Sequence, residues 1–73
     1  MPPRPLPYRE VKRKLVLADF EEVNQRGSHV KFARRTSRGL QIVIVPRHHE
    51  VAAGTLRSIL RQAGLSWDEF EGL

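Results

Sequence analysis

The chain has 73 residues, with 13 Lys and Arg against 8 Asp and Glu, no cysteine and a net charge of +5. A domain of this size buries only about 60% of the surface of its unfolded chain, so we expect contacts on an open surface rather than in a large pocket. The lack of cysteine excludes disulfide bonds and thiolate metal sites. The positive charge favours a polyanionic partner such as nucleic acid, although charge that serves only solubility is also compatible with it.

The N-terminal segment, residues 1–7, contains four of the five prolines, which disfavour a helix interior. We interpret it as a mobile arm in front of a single domain that spans residues 8–73. No apolar run approaches the roughly 18 residues of a membrane helix, and Met-Pro-Pro-Arg does not resemble a secretory leader. These features predict a cytoplasmic protein without a membrane contact.

The first helix is predicted from Tyr8 onward, because apolar residues then recur at helical spacing and Pro7 suits a first helical turn. The residues of this stripe are Tyr8, Val11, Leu15 and Ala18. Its outer side is basic and includes Lys12. That side is either an ordinary solvated face or a surface that contacts RNA.

Two strands are predicted on either side of Gly27, a residue that can turn the backbone tightly. Residues 21–25 form the first, and the second begins at His29. Because side chains alternate along a strand, Val30 and Phe32 are expected in the core, which leaves His29 and Lys31 on the open side.

The third strand is predicted at residues 40–45, where β-branched residues dominate, and Pro46 ends it. We expect residues 34–39 to form a polar turn that carries three arginines. In this interpretation Leu40, Ile42 and Ile44 face the helices. Val43 and Val45 then lie on the open side with Gln41, as part of a surface for a protein partner.

The second long helix is predicted at residues 53–63, after a loop at residues 46–50. Gly64 is expected to end this helix, and Ser66 and Glu69 form a capping box for a last short turn. Trp67 and Phe70 are expected to close the core. The order helix, strand, strand, strand, helix predicts an α+β domain with a three-stranded antiparallel sheet and both helices on one face.

His29 is the candidate catalytic residue, because a histidine side chain exchanges protons near neutral pH. Beside cations it could deprotonate a ribose 2′-OH, which would then attack the adjacent phosphate. Lys31, Arg47 and Arg57 are the candidates for stabilising charge on that phosphate. A structural role for His29, such as bonding to turn carbonyls, is the alternative.

A metal site is the other chemistry that the histidines suggest, because His48, His49 and Glu50 are consecutive. Adjacent residues rarely converge on one ion, and no second cluster of ligands is available. We therefore predict neither a metal nor a small-molecule cofactor.

Three motifs in order resemble the HicA toxin family of bacterial toxin–antitoxin systems. They are Gly27-Ser28-His29-Val30-Lys31-Phe32, the strand end Val45-Pro46-Arg47-His48, and Gly54-Thr55-Leu56-Arg57-Ser58-Ile59-Leu60-Arg61-Gln62-Ala63-Gly64-Leu65-Ser66. The resemblance extends from about Tyr8 to Phe70 and implies a fold like that of double-stranded-RNA-binding domains. It also implies a metal-independent ribonuclease that cleaves mRNA, with a HicB-like antitoxin as partner.

Position by position, the resemblance puts the family's catalytic histidine at His29 and a second histidine of open role at His48. With Ser28, Lys31, Arg47, Arg57 and Lys12, His48 completes the expected RNA-binding set. Two alternatives remain, a non-catalytic RNA-binding module and an inactive toxin homologue that only binds its antitoxin.

Overall fold

A computed structural model describes residues 3–73 of the chain. It contains three helices, α1 (Tyr8–Leu17), α2 (Ala53–Ala63) and α3 (Trp67–Glu71), and five strands. The strands are β1 (Leu6–Pro7), β2 (Glu21–Arg26), β3 (His29–Thr36), β4 (Gly39–Pro46) and β5 (Glu50–Val51). β2, β3 and β4 form an antiparallel sheet with β3 in the middle, and β1 pairs with β5. The predicted α+β fold with a three-stranded sheet is confirmed.

One hydrophobic core joins the sheet to the two long helices. Val30 and Phe32 of β3 are fully buried in it, together with Val11 and Leu15 of α1 and the α2 residues Leu56 and Ile59. Since all these side chains meet in one cluster, α1 and α2 cover the same face of the sheet. The other face of the sheet is open.

The C-terminal segment is organised as the sequence predicted. Gly64 ends α2 with φ of +69°, a left-handed conformation that glycine adopts without strain, and the Leu65 N–H donates to Leu60 O at 3.0 Å. Ser66 and Glu69 form both hydrogen bonds of the capping box at the start of α3. Trp67 and Phe70 are buried. This segment therefore closes the core.

The end of the proline-rich segment is part of the fold, whereas the sequence suggested a mobile arm. Leu6 and Pro7 pair with Val51 and Glu50, and the Leu6 side chain is buried. Arg4 adds an ion pair with Glu71 at 2.7 Å. Met1 and Pro2, the start of the predicted arm, lie outside the described residues.

The predicted orientation of β4 is wrong. Val43 and Val45 are fully buried, whereas Leu40 is 57% exposed and Ile44 is 38% exposed. The cause is the register of the sheet, in which Phe32 lies opposite Val43 and Val30 opposite Val45. Directly paired residues of antiparallel strands place their side chains on the same face, so the two valines must enter the core beside Val30 and Phe32.

The predicted arginine-rich turn at residues 34–39 is also shorter than expected. Arg34 and Arg35 belong to β3, and Ser37 and Arg38 alone connect it to β4. β3 extends to Thr36 because its residues pair with those of β4 and because some of its side chains have hydrogen-bond partners outside the sheet. Arg34, for example, donates to the carbonyl oxygens of Ala18 at 2.9 Å and Ala63 at 3.0 Å.

The predicted loop at residues 46–50 is shorter as well, since β4 includes Pro46 and β5 begins at Glu50. No helix within residues 3–73 is long and apolar enough to cross a membrane.

Candidate functional site

His29 is the first residue of β3 and is exposed on the open face of the sheet. Gly27 and Ser28 form the two-residue turn before it, and Gly27 has φ of +58°, which a side chain would make unfavourable. Across the strands His29 lies between Arg26 of β2 and Pro46 of β4. The neighbouring strands β2 and β4 therefore hold the backbone of His29 from both sides.

The first groove at this site, the open-face groove, lies on the sheet and has a volume of about 340 Å³. It is lined by Asn24, Arg26, His29, Lys31 and Ile44. These residues share the groove because Asn24 and Ile44 flank Lys31 in the sheet, as Arg26 flanks His29. Its lining contains two cations and no carboxylate, so it is electrostatically suited to an anion.

The cations of the open-face groove are not neutralised by the protein's own acids. Within residues 3–73, neither Arg26 nor Lys31 forms an ion pair. The ion pairs of this part of the chain join Arg4 to Glu71, Lys12 to Glu22 and Arg13 to Glu10. The positive charge beside His29 is therefore available to a ligand.

The second groove, the β4–α2 groove, runs between the edge strand and the second helix and has a volume of about 470 Å³. Its lining residues are His29, Ile44, Pro46, His48, Gly54, Thr55, Ser58, Ile59 and Gln62. Thr55, Ser58, Ile59 and Gln62 follow one another at the spacing of a single helix face. His29 and Ile44 line both grooves, so the imidazole stands at their junction.

The structure brings some of the predicted RNA-binding residues to His29. Lys31 shares the open-face groove with it, and His48 shares the β4–α2 groove. Ser28 is exposed directly before His29, and its carbonyl oxygen accepts the Arg47 N–H at 2.6 Å. This bond ties the segment after β4 to the hairpin that carries His29.

The Arg47 side chain turns away from both grooves. Its guanidinium donates to Gln25 Oε1 at 3.2 Å and lies 5.6 Å from the centre of the Tyr8 ring. Burial raises the pKa of the Tyr8 phenol, and the nearby Glu22 carboxylate acts in the same direction. Arg47 thus joins α1 to β2.

Lys12 and Arg57 also lie outside the linings of the two grooves. The Lys12 Nζ is 2.9 Å from Glu22 Oε1, and its hydrogen bond to Glu22 raises the pKa of Lys12. Arg57 is exposed on α2, on a face next to the one that lines the β4–α2 groove. The geometry gives neither residue a place beside His29.

Several residues that line the two grooves were not predicted from the sequence. Arg26 could have been found, because a two-residue turn at Gly27 and Ser28 pairs it directly with His29. Ser58 and Gln62 carried a weaker signal, a polar stripe beside the apolar stripe of α2. The pattern of the helix alone does not show which strand this polar stripe faces.

The consecutive residues His48, His49 and Glu50 do not form a metal site in this geometry. Within residues 3–73, no group of three or more His, Cys, Asp or Glu side chains is arranged to hold a metal ion.

Comparison with known proteins identifies the family. The family model described as HicA toxin of bacterial toxin-antitoxin matches residues 8–65 of the chain. No curated protein matches it. The matched region contains α1, the whole three-stranded sheet and α2, and so includes both grooves and His29. Since the match covers well over half of the sequence, the chain belongs to the HicA toxin family of bacterial toxin–antitoxin systems.

Proposed function

We propose that this protein is an endoribonuclease that cleaves mRNA in the cytoplasm and that His29 is its proton-transfer group. The observation that supports this most strongly is the position of His29. It is an exposed imidazole at the junction of two grooves, one of which also contains Arg26 and Lys31, cations that form no ion pair in the described part of the chain. A base beside positive charge is what phosphodiester cleavage needs.

In the proposed reaction, His29 takes the proton from a ribose 2′-OH, and the oxygen attacks the adjacent phosphorus. The bond to the 5′-oxygen breaks, and that oxygen takes up a proton from solvent. The products are a 2′,3′-cyclic phosphate and a 5′-hydroxyl end. Lys31 and Arg26 stabilise the extra negative charge on the phosphate oxygens while both bonds are partly formed. RNA with a 2′-deoxyribose at the cut site is therefore expected to resist cleavage.

The direct test compares His29→Ala with His49→Ala in an RNA cleavage assay. Loss of a proton-transfer group is expected to slow cleavage by about 10²- to 10⁴-fold. His49→Ala is a matched control, because His49 is exposed but lines neither groove. If His29→Ala folds and cleaves RNA at the wild-type rate, the proposed role of His29 is wrong.

The same assay separates the two alternatives. A non-catalytic RNA-binding module would bind RNA in a gel shift without cutting it, and His29→Ala would change only its affinity. An inactive homologue would neither cut nor bind RNA, yet would still bind its antitoxin.

For the partner, we infer that a HicB-like antitoxin covers the open face of the sheet and with it His29. Leu40 and Ile44 provide exposed apolar surface on that face, and Arg26 and Lys31 provide positive charge. An antitoxin that presents acidic and apolar side chains fits this surface. Val43 and Val45, which the sequence assigned to this interface, are in the core and take no part in it.

A further inference from the structure

We propose that the β4–α2 groove receives one base of the RNA next to the cleaved phosphate, and that Gln62 reads a hydrogen-bond acceptor on that base. This inference rests on the proposed function, since it concerns the same substrate. It goes beyond it by assigning sequence selection to residues of α2.

The two grooves differ in charge. The open-face groove contains Arg26 and Lys31, whereas the lining of the β4–α2 groove contains no Lys, Arg, Asp or Glu. Its polar side chains are His29, which it shares with the open-face groove, and His48, Thr55, Ser58 and Gln62. Phosphates are held by cations, whereas the edges of single-stranded bases are read by hydrogen-bonding groups beside apolar surface. The two grooves are thus suited to different parts of one nucleotide chain.

A backbone hydrogen bond fixes the orientation of the Gln62 amide. Gln62 Oε1 accepts the backbone N–H of Ile44 at 3.0 Å. An N–H needs an acceptor opposite it, so this contact decides which end of the amide is oxygen and which is nitrogen. The Nε2 group, with its two N–H donors, is left for a ligand. Gln62 therefore presents donors at a fixed position in the groove.

The lining also has a shape that suits a base. Ile44, which is 38% exposed, and the half-buried Pro46 provide apolar surface along the edge strand. Ser58 and Thr55 add hydroxyl groups on the same face of α2 as Gln62. A volume of about 470 Å³ lies within the range of roughly 300–1,000 Å³ that is typical of small-ligand sites. A flat base can pack on the apolar part while its edge meets the polar groups.

The arrangement also predicts the path of the RNA. Since His29 lines both grooves, a phosphate held by Lys31 and a base held near Gln62 lie on the two sides of the imidazole. The choice of base would then decide which phosphate is presented to His29. Cleavage would be selective without any further domain.

The test uses the full chain with His29→Ala, so that bound RNA stays intact, and compares it with the same protein that also carries Gln62→Glu. Binding of labelled eight-nucleotide rA, rC, rG and rU oligomers is measured by fluorescence anisotropy at one salt concentration. The carboxylate that replaces the amide keeps an acceptor for the Ile44 N–H but removes the donors. We expect the ratio between the tightest and weakest Kd values to change about threefold to tenfold, the size of one neutral hydrogen bond.

Arg61→Gln in the same background is the matched control. It lowers the net charge of α2 by one unit, as Gln62→Glu does, but Arg61 lines neither groove. It should weaken binding of all four oligomers equally and leave their ratio unchanged. If Gln62→Glu also leaves the ratio unchanged, or merely lowers the melting temperature, Gln62 only caps the edge strand and the inference is overturned.

Mapping of cut sites separates this inference from the proposed function. Proteins with His29 intact, with and without Gln62→Glu, are given one RNA of mixed sequence. A redistribution of the cuts supports the inference. If cleavage depends on His29 but the cuts stay in place, the inference fails and the nuclease proposal stands. If no cleavage depends on His29, the nuclease proposal fails, and the binding ratios alone decide whether the groove selects bases.

Discussion

The two faces of the three-stranded sheet are built from alternate residues of the same strands, yet they have opposite properties. On the covered face, Val30, Phe32, Val43 and Val45 have no exposed surface. On the open face, His29, Lys31 and Ile44 are exposed between them. Stability is therefore concentrated on one face and the candidate chemistry on the other, so substitutions at neighbouring positions should have separable effects.

The cations of β3 show the same division. Arg34 donates to Gln41 Oε1 and to the carbonyl oxygens of Ala18 and Ala63, and its guanidinium lies 4.5 Å from the centre of the Phe20 ring. Lys31 forms no ion pair within residues 3–73. A positive charge on β3 is thus not sufficient to indicate a binding residue. A cation is available to a ligand only where the protein's own acceptors do not already take its hydrogen bonds.

The largest expected effect is the difference between Val43→Glu and Ile44→Glu. A carboxylate in place of Val43 would be buried without a partner, at a cost above about 4 kcal/mol. The whole domain is expected to be stable by only about 4–11 kcal/mol, from about 0.05–0.15 kcal/mol per residue. Val43→Glu should therefore melt at least about 15 °C below the wild type by circular dichroism, whereas Ile44→Glu should melt near the wild-type temperature.

Ile44→Glu also tests the partner surface. It places a negative charge beside Lys31 on the face that we assign to the antitoxin, so it should weaken a complex with the co-expressed antitoxin in a pull-down. Full retention of the complex by a folded Ile44→Glu protein would contradict that assignment.

The second largest expected effect is the difference in stability between Arg34→Ala and Arg35→Ala. Arg34→Ala removes hydrogen bonds from a charged donor to three acceptors and a cation–π contact, so it should cost about 2–4 kcal/mol. Arg35→Ala, at an exposed position of the same strand, should change stability by no more than about 0.5 kcal/mol. Urea unfolding measures both. Equal losses would mean that the contacts of Arg34 do not stabilise the fold.

The third effect concerns the rate of cleavage rather than stability. Lys31→Ala should slow cleavage about tenfold, because a positive charge near the phosphate is lost, with little change in melting temperature. The slope of the logarithm of RNA affinity against the logarithm of salt concentration should become shallower by about one, the value of one phosphate contact. Lys12→Ala removes the same charge at a distance from His29 and should leave the rate unchanged. Identical effects of the two variants would indicate non-specific attraction only.

The smallest expected effect is a loss of stability in acid that depends on Glu69, the capping-box residue of α3. The backbone hydrogen bond from Ser66, followed by the side-chain bond, lowers the pKa of Glu69 from its ordinary value of 4.5. A lowered pKa in the folded state gives stability that is complete above 4.5 and is lost as the pH falls through the folded-state pKa. The difference in melting temperature between wild type and Glu69→Gln should therefore shrink as the pH falls below about 4.5. A constant difference between pH 6 and 3 would contradict this. Cleavage assays are best kept above this range, so that a change in rate does not reflect a change in folding.

The error at β4 shows how much of the fold the sequence could have provided. Residues 40–46 include apolar residues at both odd and even positions, so alternation along the strand could not show which of them face the core. The pairing of β4 with β3 could have shown it. A turn with an even number of residues pairs even with odd positions, whether it has the predicted six residues or the observed two. Val30 and Phe32 must then share their face with Val43 and Val45.

The candidate site was also predictable only in part. His29 and Lys31 were predictable because they lie on one strand, next to a turn that glycine permits. The RNA contacts of Arg47 and Lys12 stay predictions. Their contacts within the protein were not predictable, because Tyr8 and Gln25 for Arg47 and Glu22 for Lys12 lie in other elements.

By itself the sequence determined the helices, the three strands of the main sheet and their order, its family resemblance and the position of His29 after the first turn, because turns, caps and helical spacing are local properties. The tertiary structure alone decided how α2 lies along the edge of β4, and hence that a second groove, lined without Lys, Arg, Asp or Glu, meets His29. It also decided which cations form no ion pair within residues 3–73. Both depend on contacts between residues far apart in the chain, whose distances local patterns do not fix.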